Sequence, residues 1–192
     1  MTLSPRFEQA LVYAAMIHSG QSRKASNVPY LAHLLSVTAL ALEHGANEDE
    51  AIAALLHDAA EDAGGQGRLA DIHTRFGANV ANMVADCTDT YDTPKPPWRA
   101  RKEAYIAHLP RASRGALLVS CCDKLHNTRA IVAELRRLGA DTWKHFKGGR
   151  EGSLWYYRLL AETFTKTELP RGLVDELRRT VEIMERLATE KS

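Results

Sequence analysis

The stretch ALLHDAAED, Ala54 to Asp62, joins an apolar beginning to an end that gathers one histidine and three carboxylates. Ala51 and Ile52 lead into it and no glycine or proline intervenes before Gly64, so the pattern predicts one helix from about Glu48 to Asp62. On such a helix His57 and Glu61 are spaced i,i+4, as are Asp58 and Asp62, and Asp58 and Glu61 are i,i+3. The polar atoms therefore crowd together instead of spreading around the axis. Carboxylates at a helix C-terminus also oppose the macrodipole, at about 0.3–1 kcal/mol each. A positive group is expected beside them.

Outward from this segment the apolar spacing stays helical. Ser4-Pro5 has the form of an N-cap followed by proline at the first helical position, opening a helix to about His18. After the polar loop SGQSRKASNVP, a second helix is predicted from Tyr30 to His44, stopped by Gly45. The GGQG run breaks the chain, shorter helices follow at 68–76 and 78–87, and another at 98–108 succeeds the proline-containing DTPKPPW. A long helix from about Ser113 to Leu138 ends at Gly139, with further helices near 141–147, 151–166 and 172–189. No run alternates with a period of two and no internal repeat is present. The expected fold class is all-α.

The 192 residues, 45% hydrophobic and 26% charged, suit a soluble globular chain with a substantial core, and one domain over 1–192 is expected. No run approaches the roughly 20 apolar residues that span a bilayer. MTLSPRFEQ has no apolar core of a secretory signal, so a cytoplasmic location is expected. A net charge of +1 gives no support for a nucleic-acid or membrane binder. Cys87, Cys121 and Cys122 form no CxxC pair, and the vicinal two read as small core residues.

A divalent cation would relieve the crowding in HDAAED, because neutral imidazole with carboxylate suits Zn, Mn or Fe. His57 and Asp58 can both ligate it. Further candidates are His33 in PYLAHLL, on the preceding helix, and Asp123 in CCDKLHN, an acid on an otherwise apolar face. A buried unpaired carboxylate is costly, so Asp123 should have a cation or strong hydrogen-bond partners. The remaining histidines, His18, His44, His73, His108, His126 and His145, default to structural or surface roles.

At these residues the chain resembles the HD-domain metal-dependent phosphohydrolases, and within them the alarmone (p)ppGpp hydrolases: the SpoT/RelA-type hydrolase domain and its free-standing, Mesh1-like form. The resemblance covers about 7–134 and is carried by HSGQSRK, PYLAH, ALLHDAAED, Phe76-Gly77, the CTD of Cys87 to Asp89, and DKLHNTR. It implies an HD-domain helical bundle of about eight to ten helices, with the C-terminal helices of 141–189 packed on the motif core. It implies His33, His57, Asp58 and Asp123 as ligands of Mn2+, with other divalent metals as alternatives. Glu61 and Asp62 match the catalytic acidic pair that activates water. Arg23 and Lys24 match the basic pair at the nucleotide, Arg23 against the guanine ring, and Asn127 matches a further nucleotide contact. A flat guanidinium can stack on a base, and a compact ammonium suits phosphate.

The implied reaction is hydrolysis of the 3′-pyrophosphate of ppGpp or pppGpp, a small-molecule nucleotide substrate. No stretch resembles the synthetase or regulatory domains of the bifunctional enzymes, so degradation without synthesis is expected. Rivals are another phosphorylated nucleotide at the same site, ppApp or the 2′-phosphate of NADPH, and a non-catalytic alarmone-binding module, which would need no water-activating acids. Ala130 stands where several family members have threonine. Lys95, Arg99, Arg101 and Lys102 are expected to form a solvated basic face. In the tail GREGSLWYYRLLAETF, which resembles bacterial small homologues, Tyr156 or Tyr157 is a candidate to close the site. A homo-oligomer is compatible with the sequence, which does not determine it.

Overall fold

Ser4 opens the first helix as its side chain accepts from the Arg6 N–H, with Pro5 at the first helical position. The computed structural model describes residues 2–23, 27–92 and 94–189. Its helices are α1 (Pro5–Ile17), α2 (Leu31–Glu43), α3 (Glu48–Leu56), α4 (Ala59–Asp62), α5 (Gly65–Phe76), α6 (Ala78–Cys87), α7 (Trp98–His108), α8 (Arg114–Leu138), α9 (Gly149–Phe164) and α10 (Arg171–Thr189). Among the described residues there is no strand, only an isolated bridge between Ser22 and Pro29. None of these helices is long and apolar enough to cross a membrane.

The helix α3 is the hub. Asn47 and Glu50 form a reciprocal capping box at its start, an arrangement whose loss typically costs about 1 kcal/mol. Its next six residues, Ala51 to Leu56, are all buried, so every face of the helix meets protein. It packs against α1, α2, α6 and α8, and α10 lies along α8 and α9. Burying a leucine or isoleucine such as Leu55 or Ile52 contributes roughly 1.5–3 kcal/mol, which makes the C-terminus of α3 a rigid platform.

Three expectations are corrected. The predicted helix through Asp62 is broken at His57 and Asp58: Asp58 sits at φ −96° and ψ −3°, the bridge region, and α4 restarts as a single turn. The GGQG run does not exclude helix. Gly64 and Gly65 take positive φ of 131° and 59°, which turns the chain sharply and lets α5 begin at Gly65. The segment Gly139–His145 is a 3-10 helix, beginning at the glycine that ends α8.

Candidate metal centre and adjoining pocket

The four expected ligands come from three helical regions. His33 lies in the first turn of α2, His57 and Asp58 at the break after α3, and Asp123 in the middle of α8. Asp123 Oδ1 is 3.2 Å from His33 Nε2 and 3.6 Å from His57 Nε2. Asp58 Oδ2 is 3.6 Å and 3.1 Å from the same two nitrogens. One donor atom each from His33, His57 and Asp58 falls within a 4.8 Å group.

The imidazole tautomers are set from behind. His57 Nδ1 donates to the Ala54 carbonyl at 2.9 Å, which in the neutral ring leaves the lone pair on Nε2. His33 Nδ1 lies 2.8 Å from His126 Nδ1. Burial first, then the His33 and Arg23 charges, push His126 down to about 4, so its neutral ring can accept from His33 and leave that Nε2 bare as well. Both Nε2 atoms are buried, and no neighbouring group meets hydrogen-bond geometry with either. Two orphaned imidazole nitrogens facing two carboxylates fit a divalent cation of the Zn, Mn or Fe type.

The local charges compete with such a cation. Burial lowers the His57 pKa, but the Asp58 and Asp123 charges more than offset it and hold it well above the usual value. Burial would raise both carboxyls; the His57 charge holds Asp58 well below its usual value, and chiefly the Lys124 ammonium does so for Asp123. Lys124 Nζ donates to Asp123 Oδ2 at 2.5 Å, and the Tyr30 hydroxyl donates to Asp58.

Glu61 and Asp62 follow on α4, the acids whose crowding called for a positive neighbour. Lys95 supplies it, with Nζ 2.7 Å from Glu61 and 3.8 Å from Asp62. Asp62 also accepts from Gln21, whose own amide oxygen lies 2.7 Å from His18 Nδ1. Burial, then the Asp89 charge, raise the Glu61 carboxyl against the Lys95 hydrogen bond. The expected solvated basic face is corrected for two members. Arg101 is only 8% exposed, and it and Lys102 converge on the buried Asp89 carboxylate. Arg99 remains outside, paired with Glu103.

A cavity of about 490 Å³ runs from Asp58, Asp123 and Glu61 to Arg23, Asn127 and Glu134. Arg23 Nη2 donates to Asn127 Oδ1 at 2.7 Å, and Asn127 Nδ2 donates on to Asp123 Oδ1. The backbone of Arg23 is pinned by its N–H to the Val28 carbonyl at 2.9 Å. Lys24 lies outside the described residues. Tyr156 and Tyr157 both line the cavity, and the buried Tyr156 hydroxyl has no hydrogen-bond partner. Tyr30, His126 and Lys124 were not singled out in the sequence. The one signal for His126 was its i,i+3 spacing from Asp123.

The family described as HD domain matches residues 10–154, a span that contains His33, His57, Asp58 and Asp123. The guanosine-3′,5′-bis(diphosphate) 3′-pyrophosphohydrolase MESH1 of Xenopus tropicalis is 36% identical over 138 residues, covering 70% of this chain and 72% of that protein. Its Homo sapiens counterpart of the same name is 34% identical over 143 residues, 72% and 74% of the two chains. A solved structure described as a metazoan ortholog of SpoT that hydrolyzes ppGpp and plays a role in starvation responses has a TM-score of 0.79. It is 25% identical and covers 98% of this chain and 99% of its own.

Proposed function

The chain belongs to the HD domain family, and on that premise we propose that it hydrolyses the 3′-pyrophosphate of the guanosine alarmones ppGpp and pppGpp. Water adds across the bond between the ribose 3′-oxygen and phosphorus, releasing pyrophosphate and GDP or GTP. The observation that carries this proposal is the pair of orphaned imidazole nitrogens, His33 Nε2 and His57 Nε2, set between two carboxylates at the end of a nucleotide-sized cavity. The similarity to proteins named for this activity supports it.

In this scheme His33, His57, Asp58 and Asp123 hold one divalent cation, manganese by preference over zinc or iron. When bound, the cation lowers the pKa of a coordinated water and offsets phosphate charge. Glu61 takes the proton from the attacking water, a task favoured by burial that makes its carboxylate more basic. Asp62, steadied by Gln21, orients the same water. Lys102, Lys124 and the Tyr156 hydroxyl face the phosphates across the cavity. Arg23 lies against the base, Asn127 fixes Arg23, and Lys24 provides phosphate charge. The chain acts as a single cytoplasmic domain on a free nucleotide.

A panel of ppGpp, pppGpp, ppApp and NADPH, each incubated with the manganese-loaded protein, tests this substrate assignment. Both guanosine alarmones are expected to exceed the other two by at least about tenfold in kcat/KM, since a site built to hydrogen-bond a substrate group rejects analogues lacking it. Faster release of phosphate from NADPH would overturn the assignment.

A further inference from the structure

Asp123, Asn127, Ala130 and Glu134 share one face of α8, spaced so that metal-facing and distal groups line the same cavity. The helical rise separates Asp123 from Glu134 by about 16 Å along the axis. Side chains on a helix lean toward its N-terminus, so Glu134 reaches back toward Asn127 and its partner Arg23. Glu134 is half-buried, and its Oε2 is buried without a hydrogen-bond partner. Burial raises this carboxyl, and the His145 and Arg23 charges pull it back toward the ionised form. The same cavity is lined by the apolar Ala130, Ile131 and Phe146, with Lys147 next to Phe146. A flat cationic group, apolar walls and one unsatisfied acid describe a seat for a heterocycle with two adjacent N–H donors.

We infer that Glu134 selects guanine, its carboxylate accepting from the N1–H and the 2-amino group while Arg23 lies against the ring. Adenine presents an acceptor at N1 and a donor only at its 6-amino group, so it would set a lone pair against the carboxylate. The inference rests on the proposed alarmone reaction and adds the residue that decides its base. Ala130 brings no polar atom to the seat, which leaves the acid as the discriminating group on this helix face.

The test is kcat/KM for ppGpp and ppApp with wild type, Glu134→Gln and Glu134→Leu, alongside calorimetric titration of GDP and ADP. Glutamine offers one acceptor and one donor, the match for adenine, so Glu134→Gln should move the ppGpp to ppApp ratio toward adenine by about 10- to 100-fold, mostly through KM. Glu134→Leu should lose guanine preference without that gain. Thermal unfolding of both variants checks that the helix is intact. Ratios within twofold of wild type in both variants would overturn the inference. Wild type that hydrolyses neither alarmone would sink the proposed reaction, while the GDP to ADP affinity ratio and its response to Glu134→Gln would still decide the base. No hydrolysis together with failure to bind either diphosphate would overturn both.

Discussion

Asp123→Ala is expected to lose bound manganese on dialysis and to lower ppGpp turnover by roughly 10³-fold or more. Loss of a cation removes several kcal/mol of charge stabilisation, and each 1.36 kcal/mol is tenfold in rate. Asp123 Oδ1 stands 3.2 and 3.6 Å from the two orphaned imidazole nitrogens, so its removal takes one of the two carboxylates that face them. Truncation also strands the mostly buried Lys124 beside an empty acid position, which costs stability. Asp58→Ala, with a side chain 20% exposed and no lysine partner, removes a donor without that penalty and should show the same metal loss. Metal content and rate are measured together. Acid should act likewise: the Asp58 and Asp123 charges hold His57 well above its usual pKa, so protons compete for Nε2 and cation affinity falls as the pH falls. Full turnover after exhaustive chelation would contradict the metal assignment.

Glu61→Gln should keep the cation and the nucleotide yet lose about 10²- to 10⁴-fold in kcat, the range for a missing general base. Glu61 is not among the clustered donors, and glutamine preserves its shape and one acceptor for Lys95. Burial and the Asp89 charge raise the wild-type carboxyl, which strengthens it as a base once Lys95 yields to substrate. Steady-state kinetics with metal analysis separate the outcomes. A rate within a few-fold of wild type would transfer the proton to Asp62 or to the bound cation alone.

The sequence made the helices legible where caps and apolar spacing agree, as at Ser4-Pro5 and along Arg114–Leu138. It failed at His57-Asp58, because helical propensity cannot register a side chain whose ring nitrogen takes the Ala54 carbonyl while the next residue shifts to the bridge region. It also failed at Gly64-Gly65, where two positive φ angles serve as a turn into a helix. His57 and Asp58 stood out through the crowded acids of HDAAED, Asp123 as an acid on an apolar face and His33 as a candidate on the preceding helix, and the structure brings the four together. The groups behind them were hidden for a different reason. His126 meets His33 across 93 residues, and Asp89 becomes a buried anion only because α7 carries Arg101 and Lys102 onto it. Such partners are products of tertiary packing, which local spacing does not encode.

The central claim, cation-dependent cleavage at the 3′-pyrophosphate, is tested most directly by 31P NMR of ppGpp incubated with the manganese-loaded protein. The expected spectrum gains free pyrophosphate and GDP with its 5′-diphosphate intact, and neither forms in a chelated sample. Orthophosphate with a shortened alarmone, or the same products in the presence of chelator, would contradict it.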